Sequence, residues 1–62
     1  MIEPIVLTMR EAADALRVSR GTVYRLASEG MPTVLIRGRL RVPRAELEAW
    51  VSRQATRHEP AP

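Results

Sequence analysis

The 62-residue chain contains no cysteine, no lysine, no asparagine and no phenylalanine, and aromatic residues make up only 3% of it. Without cysteine it has neither disulfides nor thiolate metal sites to reinforce a small core, and nothing argues for an oxidising compartment. No apolar run is longer than that of Ile5-Val6-Leu7, far short of a transmembrane span. The N-terminus shows no basic-then-apolar leader, so secretion is not expected. The only histidine, His58, falls in the C-terminal segment, and the carboxylates are scattered. Glu46 and Glu48 are two apart on an expected helix and so diverge, which speaks against a paired acid and base. No glycine-rich phosphate loop is present. A core this small leaves no enclosed pocket, so no enzyme, no metal and no cofactor is expected.

A chain of this length makes one domain that buries roughly 60% of its unfolded surface. Hydrophobic residues at 45% suffice for a small globule. All ten basic residues are arginines, and the formal net charge is +3. Residues 1–31 hold four arginines against four acids, whereas residues 32–62 hold six against three, so the whole excess lies in the second half. Arg37, Arg39, Arg41 and Arg44 cluster in a segment without an acid, which points to a phosphate-bearing partner such as nucleic acid. A solvated arginine-rich surface is the plainer alternative.

Pro4 forbids a regular start, so residues 1–4 read as a loose lead-in, and Ile5-Val6-Leu7 either packs over the core or forms a minor strand. Thr8-Met9-Arg10-Glu11 fits a capping box, with Leu7 and Ala12 placed as a hydrophobic staple. Met9, Ala12, Ala13 and Leu16 share one face of a first helix, roughly 9–17. Ser19 caps a second helix whose apolar stripe is Val23, Leu26 and Ala27, with Gly30 and Pro32 as stop signals. The short connection Arg17-Val18-Ser19 makes this a helix–turn–helix.

The period then changes. Thr33–Ile36 and Leu40–Val42 around Arg37-Gly38-Arg39 read as a β-hairpin with a loop of three to five residues. That loop places Val34, Ile36, Leu40 and Val42 on one side and the arginines at the tip and on the other. Pro43 suits the first turn of a third helix, whose apolar stripe is Leu47, Trp50 and Val51. Trp50 reads as core packing more readily than as a stacking platform. The domain therefore spans 1–53, and 54–62 reads as a flexible tail.

On the second helix, Gly21, Arg25 and Ser28 lie opposite Val23, with Thr22 and Tyr24 on the flanks. That outer face carries hydroxyls, arginine and a glycine, with no acid before Glu29, and it can approach DNA closely. Arg25 can bond a guanine edge through two donors, or a phosphate. Ser19 and Arg20 suit a phosphate at the start of the helix. Tyr24 reads equally as half-buried packing or as a phosphate contact. Gly21 either permits close backbone approach or eases the turn into the helix. Arginines on the hairpin match the negative potential of a minor groove, or they only blunt an exposed edge.

The segment from Leu7 to Trp50, LTMREAADALRVSRGTVYRLASEGMPTVLIRGRLRVPRAELEAW, resembles the excisionase-like, MerR-type winged helix-turn-helix domain. The resemblance rests on a leucine-threonine cap, the EAA..L.VS helix and turn, the R.TVYR second helix, a glycine-arginine wing tip and a final LEAW helix. It implies a mainly α fold with a small β-hairpin, the second helix in the major groove and the wing along the neighbouring backbone or minor groove. Carried over by position, the DNA-facing residues are Arg20, Gly21, Thr22, Tyr24, Arg25 and Ser28, with Arg37, Gly38, Arg39 and Arg41 on the wing. Ser19 joins them from the reading of the helix start. Gly21 departs from the pattern, since similar domains commonly carry a polar side chain there.

The residues after Trp50 show no coiled-coil heptads, so a ligand-sensing MerR activator is not expected. The resemblance instead implies a phage or mobile-element excisionase, also called a recombination directionality factor. Such a protein binds repeated sites cooperatively, bends DNA and directs integrase toward excision. Its expected partners are double-stranded DNA, integrase and neighbouring copies of itself, in the cytoplasm at the bacterial nucleoid and away from membranes. A small MerR-like transcriptional regulator is the alternative. A third reading, from another class, is a protein-interaction module that uses the hairpin edge or a helix face.

Overall fold

The computed structural model describes residues 4–57, and its elements follow in the order strand, two helices, two strands, helix. They are β1 (Val6–Thr8), α1 (Met9–Leu16), α2 (Arg20–Ser28), β2 (Val34–Ile36), β3 (Arg39–Pro43) and α3 (Arg44–Arg57). The three strands form one antiparallel sheet in the order β1-β3-β2. This is the arrangement of a winged helix-turn-helix, with the β2–β3 hairpin as the wing. No helix among the described residues is long and apolar enough to cross a membrane.

Thr8 ends β1 and caps α1 at once. Its Oγ1 accepts from the Glu11 amide at 3.0 Å, and the Thr8 amide donates to Glu11 Oε1 at 2.9 Å. Two of the donors at the helix start are thereby satisfied, and strand and helix meet without a linker. Arg17 closes α1 in the left-handed region (φ 60°, ψ 43°), its amide donating back to Ala13 and Asp14. That reversal, followed by Ser19 as N-cap, turns the chain into α2 within three residues.

Ala12 and Ala13, buried in α1, let the two helices approach closely, and the small core gathers between them and the sheet. Met9, Val23, Met31, Val42 and Leu47 complete it, with Leu7, Leu16, Leu26, Ala27 and Trp50 packed at its margin. Trp50 thus packs as expected. Val51 does not: it is 40% exposed, because α3 meets the sheet along the narrow line of Leu47 and Trp50. Met31, just past Gly30, enters the core although no helical stripe marks it.

Two boundaries also differ from expectation. Pro43 is the last residue of β3, opposite Val6, and α3 begins at Arg44, whose amide donates to Ile5 O at 2.9 Å. Proline fits there because a strand end can do without the missing N–H. The Arg44 side chain also binds Pro4 O at 3.0 Å and Glu48 at 3.0 Å, tying the start of the described chain to α3. Helix α3 continues to Arg57, beyond the expected boundary at 53/54. The rest of the expected tail, 58–62, lies outside the described residues, as do positions 1–3.

The wing loop is tighter than the sequence implies. Ile36 pairs with Arg39, leaving only Arg37 and Gly38 in the loop, both with positive φ (51° and 76°). Two central residues of that sign define the type I′ turn, which matches the twist of the strands. The shorter loop slips the register by one residue, and a one-residue slip moves side chains to the other face. Val34 and Ile36 therefore share a face with Arg41 and Arg39, and Leu35, Leu40 and Val42 share the other. Val34, Ile36, Leu40 and Val42 thus do not share one side.

Candidate nucleic-acid interface

Helix α2 owes its start to Ser19, whose Oγ accepts from the Thr22 amide at 3.1 Å and lies 2.9 Å from Thr22 Oγ1. Both hydroxyls are therefore already engaged in the cap, and Thr22 is half-buried. Val23 is fully buried and anchors the helix. Gly21, Arg25 and Ser28 opposite it are exposed, as are Tyr24 on the flank and Arg20 at the helix start. The Ser28 hydroxyl donates to Arg25 O at 2.7 Å, which leaves it an acceptor toward any outside group. Tyr24 is 46% exposed, so half its ring is covered and half presented.

On the wing, Arg37, Gly38 and Arg39 are exposed, whereas Arg41 is half-buried and donates through Nη1 to Leu40 O at 2.9 Å. The type I′ turn sends Arg37 into the loop and Arg39 into the strand, so alternation keeps Arg39 and Arg41 on one face. The aliphatic stems of these arginines can lie along Ile36 and Val34 opposite them, with the Arg39 guanidinium exposed and that of Arg41 bonded in part to Leu40 O.

An open cleft of about 440 Å³ joins the two regions. Arg20 and Tyr24 of α2 line it together with Gly38, Arg39, Leu40 and Arg41 of the wing. Thr8, Met9 and Arg10 at the start of α1 also line it. Four arginines line this cleft and no acid does. The start of α2 and the wing therefore form one cationic surface. Arg25 lies outside the cleft lining but is exposed on the same helix. Ser19, Gly21, Thr22, Ser28 and Arg37 also lie outside the lining.

Arg10 is the residue that the sequence reading passed over. It sits in a half of the chain with no net charge, and helical periodicity only places it off the core stripe. One signal was available: an arginine in the first turn of a helix opposes the helix dipole. The described residues contain no group of three or more His, Asp or Glu side chains able to hold a metal ion.

No curated protein and no solved structure gives a significant match to the chain. A family model does, over residues 6–55, and its description is a helix-turn-helix domain. That span runs from β1 into α3 and takes in the capped helices, the tight turn and the wing that build the cleft. The chain belongs to the helix-turn-helix domain family, a family of DNA-binding domains.

Proposed function

We propose that this protein binds double-stranded DNA sequence-specifically and acts as an excisionase, a recombination directionality factor. Copies occupy adjacent repeated sites, bend the DNA and direct integrase toward excision. The role is binding and architecture, with no catalytic step. The observation that carries the DNA part is the convergence of the α2 start and the wing on one acid-free cleft lined by four arginines. The excision role is supported by the resemblance of residues 7–50 to excisionase-like domains. Helix α2 enters the major groove, where Arg25 reads a guanine edge and Tyr24 and Ser28 flank it. Arg39 and Arg41 grip the adjacent backbone or minor groove, where negative potential is concentrated. A small transcriptional regulator of the same type would use the same surface.

Duplex titration over a salt series tests the binding. Four to six phosphate contacts give a log–log slope of about −4 to −5, and a slope near zero refutes the electrostatic part. Arg25→Ala should weaken the cognate site by about 1–3 kcal/mol and relax sequence choice, whereas Arg39→Ala should weaken all duplexes evenly. Equal loss on every duplex for Arg25→Ala would reduce Arg25 to a phosphate contact. Reconstituted recombination with the cognate integrase tests the role. A rise in excision product supports it, and an unchanged product ratio with altered transcription from a bound promoter favours the regulator.

A further inference from the structure

Helices α1 and α2 both open with a cation at the pole where one is least welcome. Arg10 is the second residue of α1, and Arg20 is the first of α2. The unpaired amides at a helix start carry partial positive charge, so arginine there lowers stability where an acid would raise it. Helix α2 has no acid in its first turn, and the one in α1, Glu11, is held in the capping box. Arg10 is exposed and makes no hydrogen bond or ion pair with the described residues. Its guanidinium has no partner among the described residues to offset the dipole.

The tertiary structure nevertheless brings Arg10 into the lining of the same cleft as Arg20 of α2 and Arg39 and Arg41 of the wing. Elements distant in sequence therefore concentrate cations in a cleft whose described lining holds no acid. A local conflict of this kind marks a functional site when an external group resolves it. The lining is also partly apolar, through Leu40 and the Tyr24 ring. One ligand matches both features: a deoxyribose-phosphate strand, with its anion on the guanidinium groups and its sugar against the apolar wall.

We infer that Arg10 is a DNA-backbone contact, the helix α1 arm of a clamp in which Arg39 and Arg41 of the wing hold the same strand from the other side. The inference rests on the duplex-binding reading above and adds α1 to the surface. Because the arginine opposes its own helix dipole, its removal has effects of opposite sign on folding and on binding. A structural role cannot produce that pair of effects.

The test uses the full chain with Arg10→Ala, Arg10→Lys and, as a comparison of equal charge change, Arg53→Ala on the exposed side of α3. Thermal melting and fluorescence anisotropy are measured on a cognate duplex and on a scrambled one. For Arg10→Ala the melting temperature should be unchanged or higher by a few degrees. Affinity should fall roughly fivefold at 0.1 M salt on both duplexes, and the log–log salt slope should become shallower by about 0.9. Arg10→Lys should restore the slope, and Arg53→Ala should leave affinity unchanged. An unchanged slope for Arg10→Ala, a loss confined to the cognate duplex, or an equal loss with Arg53→Ala would each overturn the clamp. So would a lower melting temperature accompanying the lost affinity, because that is the signature of a structural residue. Failure of the unaltered protein to bind either duplex would overturn the duplex reading itself.

Discussion

Gly21 is the second residue of α2, exposed, and in a conformation open to any L-residue, since its φ is not positive. A Cβ built there would meet only Ser19 Oγ, at 3.9 Å, which is ordinary van der Waals contact. Nothing among the described residues requires a glycine at this point. Alanine is favoured over glycine by up to about 1 kcal/mol within a helix, and roughly half of that is reasonable in a first turn. For a domain of this size 1 kcal/mol corresponds to about 4–8 °C, so Gly21→Ala should raise the melting temperature by about 2–4 °C. Duplex binding should move the other way. If α2 lies in the major groove with its bare Cα against DNA, the added methyl group acts as overpacking, with a typical cost of about 1–3 kcal/mol. The smallest value in that range is already about a fivefold loss of affinity. Thermal melting followed by circular dichroism, paired with anisotropy on a labelled duplex, reads both effects on one preparation. A variant that melts higher and binds unchanged would show that this side of the helix stays in solvent in the complex, refuting the close-approach argument. A variant that melts lower would show that the space around Gly21 is not open.

Gly38 holds φ +76° at the wing tip, so Gly38→Ala should cost about 1 kcal/mol and loosen the two-residue loop. Faster hydrogen exchange at the Ile36 and Arg39 amides would report it, and unchanged exchange would deny the turn its part in setting register. Thr8→Ala removes the Oγ1 acceptor for the Glu11 amide and keeps the backbone donor to Glu11 Oε1, so only half of the box is lost. It should destabilise by about 1 kcal/mol, and a melting temperature within a degree of the parent would show that the capping box adds little in solution. Together with the contrast between Arg25→Ala and Arg39→Ala, these substitutions separate the fold's own needs from those of DNA.

Local chemistry made much of the architecture readable. The Thr8–Glu11 box, the Ser19 cap and the stripes through Ala12, Ala13 and Val23 act within four residues of one another, so spacing alone reveals them. The helix–turn–helix and the existence of a hairpin follow from such short-range terms. The wing register did not, because Arg37-Gly38-Arg39 accommodates a two- or a three-residue loop equally well on paper. The pairing of Ile36 with Arg39 decided it, in a sheet whose central strand β3 also pairs with β1, Leu7 opposite Val42. Val51 shows the same limit: the helical period puts it beside Trp50, but only the line along which α3 meets the sheet leaves it exposed.

What the sequence by itself determined is the set of capped helices, the tight turn between them, and an arginine-rich ribbon in the second half of the chain. Each depends on interactions between near neighbours. What only the tertiary structure decided is that Arg10 and Arg20, from a segment with no net charge, stand in the same cleft as Arg39 and Arg41. Charge summed along a chain is blind to distance in space. The field at a surface depends on that distance alone, and folding brings residues about thirty positions apart to one cleft.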